Sequence, residues 1–333
     1  MIPTRQATRR RFTLAFAASL LAGNAGISLA QSPEWPARPV TIVVAYPAGG
    51  GPDILARVLS EKLGTRLGQP VIVDNKPGAS GMLGAGTVSR APADGYTLLL
   101  SPNTLVISPH VLPKGAGGGV DVMRDLVPIV APAVTPMVML ASPQLGVKNV
   151  QQLLAYARKN PGLAYATPGN GSPMHFAGEM FKEAAHIDML HVPYRGAAPS
   201  ITAVLGGEVL LTFSGLGAAT PQLRAGKLVP LALTEKARSP LAPQIPTVGE
   251  QELPGVEINA WFGLFAPKAT PSVVIERLNK EINAILALPD VREKLGNVGV
   301  EPRGGTAAQL AQWMKEDNER YGRIARQLSI KAE

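Results

Sequence analysis

The sequence contains no cysteine, and this absence removes several kinds of chemistry at once. Without thiols, the chain cannot form disulfides, use a thiol nucleophile or hold a metal through thiolates. The 333 residues must therefore be stabilised by burial of apolar side chains, which this length and a hydrophobic content of 46% allow. The 35 glycines and 31 prolines alternate with apolar runs, which indicates many turns and not a disordered chain.

Motifs of several enzyme and binding classes are also missing. The four histidines form no H-E-x-x-H pair, and no serine lies in a G-x-S-x-G turn. We expect no metal and no cofactor. Aromatic residues make up only 5% of the chain and no run of Lys or Arg occurs after the first thirty residues, so nucleic acid is not an expected partner. Ser172 and His175 keep a hydrolase open as an alternative, although a helix-capping hydroxyl explains Ser172 without catalysis.

The first thirty residues have the pattern of an export signal. Four arginines are followed by a short apolar run at residues 12–21 and by small residues at 28–30. We predict cleavage after Ala30, by either the Sec or the twin-arginine route. The apolar run is too short for a membrane span. Removing these four arginines lowers the formal charge from +8 to +4, as in a mildly basic soluble protein.

Residues 40–54 hold the most informative local pattern. Residues 40–46 are apolar and β-branched, which predicts a buried parallel strand. Three glycines, Gly49 to Gly51, follow Pro47, and Pro52 suits the first turn of a helix. A glycine turn at a helix start presents unpaired N–H groups to an anion. The spacing fits no nucleotide-binding motif, so the turn is predicted to bind a carboxylate, or alternatively only to reverse the chain.

The same order recurs later in the chain. A strand at 163–166 precedes a glycine turn, after which Ser172 is the predicted N-cap and Pro173 the first helical residue. Strands and helices alternate on both sides of this unit, which predicts an α/β fold with two open, mostly parallel sheets. Ligands of such sheets bind beyond the carboxyl ends of the strands.

The order of elements also predicts a chain that leaves one lobe and returns to it. We assign residues 31–133 to the first part of lobe 1, 134–252 to lobe 2, and 253–333 to the return to lobe 1 with C-terminal helices. Crossing strands would join the two sheets around a cleft that closes by hinge motion.

Several sequence blocks, in this order and spacing, resemble the Bug (TctC-like) family, the substrate-binding proteins of tripartite tricarboxylate transporters. The blocks cover essentially all of the mature chain: 39–57, 73–81, 94–99, 169–175, 191–199, 225–228, 238–240, 245–248, 261–267 and 330–333. The resemblance implies a type II-like, two-lobed Venus-flytrap receptor in the periplasm, without catalysis and monomeric. It also implies a small carboxylate solute and a two-component membrane permease as partners.

The resemblance further implies that main-chain amides of the two glycine loops hold the ligand. The ligand-binding residues carried over by position are Pro47, Ala48, Gly49, Gly50, Gly51, Asp53, Gly169, Asn170, Gly171, Ser172 and His175. The secondary ligand-binding candidates are Asn75, Ser80, Gly81, Thr104, Arg195 and Ser214.

Each prominent side chain also has a structural explanation. Arg195 fits a bidentate carboxylate partner or a surface arginine after a strand. Asp53 could receive a ligand amine or only favour the helix N-terminus. Trp261 and Phe262 are predicted as core of a hinge strand more than as a stacking surface. At the level of function, a receptor that presents its ligand to a sensor kinase is the alternative to transport.

Overall fold

The computed structural model describes residues 35–116 and 118–332. The predicted signal segment, residues 1–30, lies outside this part of the chain. Among the described residues the α-helices are α1 Gly51–Leu67, α2 Met82–Ser89, α3 Thr104–Ile107, α4 Val122–Asp125, α5 Val150–Lys159, α6 Pro173–Ala185, α7 Ala197–Gly206, α8 Leu216–Arg224, α9 Ser272–Leu286, α10 Pro289–Asn297 and α11 Ala307–Gln327. Short 3₁₀ turns cover Ala79–Gly81, Ser108–His110, Pro143–Leu145 and Gly249–Gln251.

The strands form two separate sheets. Their bounds are β1 Val40–Val44, β2 Val71–Asn75, β3 Thr97–Pro102, β4 Leu126–Thr135, β5 Met137–Ala141, β6 Leu163–Thr167, β7 Met189–Pro193, β8 Leu211–Gly215, β9 Val229–Leu233, β10 Ala260–Pro267 and β11 Glu301–Pro302. The first sheet has the order β11-β4-β10-β3-β1-β2, and the second has the order β7-β6-β8-β5-β9.

Each sheet combines a parallel part with an antiparallel part. Strands β2, β1 and β3 are parallel, as are β7, β6 and β8, which is the arrangement predicted for the strand–helix units. Strand β10 runs antiparallel to β3 and β4, and β5 runs antiparallel to β8 and β9. The sheets are thus more mixed than expected, because the strands that cross between the lobes enter them in the opposite direction.

The two-lobed α/β architecture predicted from the sequence is confirmed. The chain passes from the first sheet to the second at Pro136, and returns between the end of β9 and the start of β10. The two crossings are linked, since the Met137 N–H donates to Glu235 Oε1 at 2.6 Å. Burial raises the pKa of the Glu235 carboxyl to about 7. The exact lobe limits given above stay a prediction.

Apolar side chains of both lobes pack into one continuous core. Phe176 of α6 meets Tyr321 of α11 edge to face, with ring centroids 5.1 Å apart. This contact joins the second lobe to the C-terminal helix, which packs on the first sheet. None of the helices formed by the described residues is long and apolar enough to cross a membrane.

Candidate functional site

The first glycine loop, residues 47–53, forms at the carboxyl end of β1 as the sequence predicts. Gly49 has a φ of +82°, a conformation that residues with a side chain rarely adopt. Gly50 is extended and is the N-cap of α1, which begins at Gly51 with Pro52 in its first turn. Pro52 has no N–H, but in the first turn of a helix such a group would have had no intrahelical acceptor, so the proline costs no hydrogen bond. The loop therefore enters a 17-residue helix directly, with the helix N-terminus facing the space between the lobes.

Several amides of this loop are open to an acceptor, among them those of Gly50 and Gly51. The N–H groups of Gly50 and Gly51 have no hydrogen-bond acceptor among the described residues. By contrast, the Gly49 N–H donates to Asp53 Oδ2 at 2.9 Å. The first turn of a helix normally leaves such amides unpaired, and the helix dipole adds a partial positive charge. Gly50 and Gly51 are therefore suited to bind an anion.

Asp53 is turned inward to support the loop. It is 3% exposed, and its Oδ2 accepts hydrogen bonds from both the Gly49 amide and Arg57 Nε, the latter at 3.0 Å. Burial acts to raise the pKa of this carboxyl, but the hydrogen bonds from Arg57, Gly49 and Asn75 lower it below the usual value. Asp53 is thus a charged group that shapes the loop from within.

The second glycine loop, residues 169–175, is closed by its own hydrogen bonds. Ser172 is the N-cap of α6, as predicted, and its Oγ accepts from the His175 N–H at 3.2 Å. The Ser172 N–H donates to the Gly169 carbonyl at 3.2 Å, and the Gly171 N–H donates to His175 Nδ1 at 3.3 Å. The Gly169 N–H also donates to Thr167 Oγ1 at 3.3 Å, so four amides of this loop are already used inside the protein.

His175 lies on the far side of this loop, against a second histidine. The rings of His175 and His191 are stacked with centroids 3.8 Å apart, and His191 Nε2 lies 2.6 Å from Thr167 Oγ1. Burial, with a smaller contribution from His191 and Lys182, lowers the pKa of His175 to about 2. Burial lowers the pKa of His191 to about 4. Both imidazoles are therefore neutral and structural at ordinary pH.

Two cavities lie side by side between the lobes, and together they form the cleft. The inner cavity has a volume of about 120 Å³ and extends to Phe262 of β10. The predicted site residues that line it are Pro47, Ala48, Gly50, Gly51, Thr104, Ser172 and Arg195. The outer cavity has a volume of about 590 Å³. The predicted site residues that line it are Pro47, Ser80, Gly81, Gly169, Asn170 and Arg195.

Six of the predicted site residues line neither cavity. These are Gly49, Asp53, Asn75, Gly171, His175 and Ser214. Asn75 supports the first loop, because its Nδ2 donates to the Tyr46 carbonyl at 3.0 Å. Ser214 is fully buried, and its hydroxyl has no hydrogen-bond partner among the described residues. Except for Gly49, which is exposed, these residues support the walls of the cleft from behind.

The lobes touch at the rim of the cleft. Ser80 Oγ of the first lobe donates to the Asn170 carbonyl of the second lobe at 2.7 Å. Gly171 packs so closely on the first lobe that an added Cβ would lie 2.6 Å from Ser108 Cα. Such contacts across the cleft are those of a closed arrangement of the two lobes.

Arg195 is the charged group at the junction of the two cavities. It follows β7 in the second lobe, borders both cavities, and forms no hydrogen bond or ion pair with the described residues. A guanidinium can donate two parallel hydrogen bonds to a carboxylate. The exposed Arg195 and the open amides of Gly50 and Gly51 therefore border the same inner cavity from different lobes.

Sequence reasoning missed part of the cavity wall. Phe262 was expected as strand core. It is indeed 4% exposed, but it also lines the inner cavity, where its Cζ lies 3.5 Å from the position of a Cβ on Gly51. Met174 also lines this cavity and follows Pro173 in α6. The apolar character of Phe262 and Met174 does not distinguish a cavity-lining residue from a core residue, because residues of both kinds are buried.

Comparison with known proteins identifies the family of this chain. The family model of the tripartite tricarboxylate transporter family receptor, TctC, matches residues 55–330. The chain belongs to the TctC family. It is 33% identical to protein BugT of Bordetella pertussis over 311 residues, covering 92% of this chain and 94% of BugT. The family resemblance inferred from the sequence blocks is thereby confirmed.

Solved structures of other TctC-type proteins superpose closely on this chain. A Rhodopseudomonas palustris protein solved with adipate has a TM-score of 0.86 and 33% identity, covering 90% of this chain and all of that one. MatC of the same species, solved with malate, has a TM-score of 0.81 and 29% identity, covering 87% and 99%. This TctC-family chain is therefore a solute-binding receptor by family and by fold.

Proposed function

We propose that the protein is an exported receptor that binds a small organic carboxylate between its lobes and delivers it to a two-component membrane permease. The observation that carries this proposal is the convergence of the two open amides of α1 and the unpaired Arg195 on one inter-lobe cleft. These groups come from different lobes, so a ligand that binds both favours the closed form.

The chemistry of the cleft suits a carboxylate. The amides of Gly50 and Gly51 can each donate to one oxygen, while Arg195 can donate from the opposite lobe. Ser172 and Thr104 add hydroxyl groups to the same wall. The relatives solved with adipate and malate support a carboxylate as the ligand class.

We propose that the protein is not an enzyme. The Ser172 hydroxyl accepts a hydrogen bond from its own helix, and the His175 ring stacks on His191 outside both cavities. A nucleophile and its base must both reach the substrate, and this pair has no such arrangement. Export to the periplasm rests on the signal pattern of residues 1–30, with the Sec and twin-arginine routes both open.

Binding is tested by a thermal-shift screen of organic acids on the mature chain. Free ligand at 100 times its Kd should stabilise the protein by about 2.7 kcal/mol. Gly50→Val should abolish the shift while leaving the fold intact, because Gly50 has an ordinary extended φ of −82° and a Cβ there meets only normal contacts. Gly206→Val, in open space outside both cavities, is the matched control.

The outcome separates the alternatives. An unchanged affinity in Gly50→Val would show that the first loop only reverses the chain. No shift from any acid, together with turnover of an ester, would favour the hydrolase. Deleting the gene and measuring solute uptake separately from gene induction distinguishes a transport receptor from one that serves a sensor kinase.

A further inference from the structure

We propose that the inner cavity holds an uncharged, apolar portion of the ligand, so that the receptor selects carboxylates with an apolar tail of about six carbons. This inference rests on the proposed carboxylate receptor and specifies its substrate class. The carboxylate lies at the part of the inner-cavity wall that holds Gly50, Gly51 and Arg195, and the tail lies in the same cavity against Met174 and the prolines.

Proline is unusually frequent in the wall of the inner cavity. Six prolines line it: Pro47, Pro52, Pro102, Pro168, Pro173 and Pro199. Proline has no N–H, so these residues present ring carbons where other residues would offer a donor. Two of them, Pro52 and Pro173, occupy the first turns of α1 and α6 and reduce the number of free amides at those helix starts.

Two hydroxyl groups of this wall already donate to partners within the protein. Thr135 Oγ1 donates to the Gly299 carbonyl at 3.3 Å, and the Tyr46 hydroxyl donates to the Ser80 carbonyl at 3.3 Å. Burial raises the pKa of Tyr46 to about 12. These two hydroxyls therefore have no proton left for a polar ligand group, whereas those of Ser172 and Thr104 remain for the carboxylate.

Among the described residues that line the inner cavity, none is acidic, and Arg195 is the one charged side chain. The nearest carboxylate of the first loop, Asp53, is buried and bound by Arg57 and Gly49. An ammonium group placed here would lose its water without gaining a counter-ion. A second carboxylate would be desolvated against prolines, Phe262 and Met174.

The volume of the inner cavity fits a small apolar group. An apolar protein cavity of about 150 Å³ accepts a benzene ring. The inner cavity, at about 120 Å³, is of similar size, so it suits a six-membered ring or a chain of about five methylene groups.

The test compares acids that differ only at the end placed in the inner cavity. The chain series is hexanoate, 6-hydroxyhexanoate, adipate and 6-aminohexanoate, and the ring pair is 4-methylbenzoate and terephthalate. Isothermal titration of the mature protein should show the apolar member of each set binding tightest. The hydroxyl should weaken binding by about tenfold or more, and the second charge by more than that, because these groups stay unpaired.

Two results would overturn the inference. One is adipate, 6-aminohexanoate or terephthalate binding as tightly as its apolar counterpart, which leaves the carboxylate receptor intact. The other is that none of the six probes binds. The proposed function itself is contradicted only if the wider acid screen is also negative.

A variant tests the same wall independently. Met174→Gln places an amide in the inner cavity, and it should weaken the apolar acid while raising the relative affinity of its hydroxylated counterpart. Met180→Gln, on the same helix but outside both cavities, is the matched control. An affinity ratio that is the same in both variants would contradict a tail bound against Met174.

Discussion

The two glycine loops have nearly the same local sequence order but opposite hydrogen-bonding states. In the first loop, Gly50 and Gly51 keep their amides free, and Asp53 occupies only the amide of Gly49. In the second loop, the amides of Gly171, Ser172 and His175 are all bonded within the loop. The first loop is therefore built to receive a ligand, and the second is a rigid wall against which the first lobe closes.

This difference arises from what lies behind each loop. A buried carboxylate with an arginine partner supports the first loop, whereas a neutral stacked histidine pair supports the second. At neutral pH the Asp53 carboxylate is charged and the two histidine rings are neutral. Because these groups take up protons at different pH values, the two loops lose their support over different pH ranges. The predictions below test the contribution of each loop separately.

The largest effect is expected from adding a Cβ to one positive-φ glycine in each loop, Gly171 in the second loop and Gly49 in the first. Gly171→Ala should destabilise the protein by about 2–5 kcal/mol, because it combines a φ of +69° with overlap on Ser108. Gly49→Ala, at a φ of +82° in open space, should lose only about 1–2 kcal/mol. Urea unfolding of both variants measures the difference in the free energy of unfolding. Equal losses would show that the contact with Ser108 does not contribute to the destabilisation.

The second effect is a difference in acid sensitivity. The folded pKa of His175 is far below its ordinary 6.5, so the unfolded chain binds a proton that the fold does not, and stability falls as the pH drops below 6.5. At pH 5 this histidine alone should remove about 2 kcal/mol. Asp53 has a lowered pKa, so its support is lost only in stronger acid, below its ordinary 3.8.

Urea unfolding between pH 7.5 and 4.5 checks this prediction. Replacing His175 and His191 together with glutamine should remove this fall in stability between pH 6.5 and 5, while Asp53→Asn should leave that range unchanged. The raised pKa of Glu235 acts in the opposite sense over the same range, so the histidine-free variant should gain stability as the pH drops. A fall in stability that persists after both histidines are replaced would assign the acid sensitivity to other groups.

A smaller effect is expected from the helix cap of the second loop. Ser172→Ala should destabilise the fold by about 1 kcal/mol, since the His175 N–H loses its acceptor. Asn149→Ala removes the N-cap of α5, outside both cavities, and should cost a similar amount. Only Ser172→Ala should also weaken ligand binding. If both variants bind equally well, the rigidity of the second loop does not matter for the site.

The smallest effect concerns the bond between the lobes. Ser80→Ala removes the hydrogen bond to the Asn170 carbonyl and should lower ligand affinity by about fivefold, because a neutral hydrogen bond is worth about 1 kcal/mol. Ser89→Ala, whose hydroxyl bonds to Gly86 within its own lobe, is the control. Calorimetric titration should show a loss for Ser80→Ala alone, and a loss of equal size in the control would rule out a closing role.

Much of the local structure could be predicted from the sequence. The glycine turns, Pro52 in the first turn of α1 and Ser172 as the cap of α6 follow from backbone sterics that act within a few residues. Three α-helices were not predicted. Helices α3 and α4 have only four residues each, too few to show a periodicity, and α10 buries little more than Val291 and Leu295.

The family blocks placed the candidate site in two loops, but they could not separate cavity-lining residues from supporting ones. His175 and Asp53 have the chemistry of ligand-binding groups, yet each is turned away from the cleft toward a partner. His175 stacks on His191, which lies on another strand, and Asp53 pairs with Arg57, one helical turn further on. Phe262 became part of the inner cavity because β10 returns between β3 and β4.

The sequence by itself determined where the chain turns, which helices begin at glycine and proline, and which family the chain resembles, because these depend on neighbouring residues. The tertiary structure alone decided which amides remain free, which side chains face the cleft and how apolar its inner wall is. These features depend on hydrogen bonds and packing between segments that lie up to two hundred residues apart, such as Thr135 and Gly299.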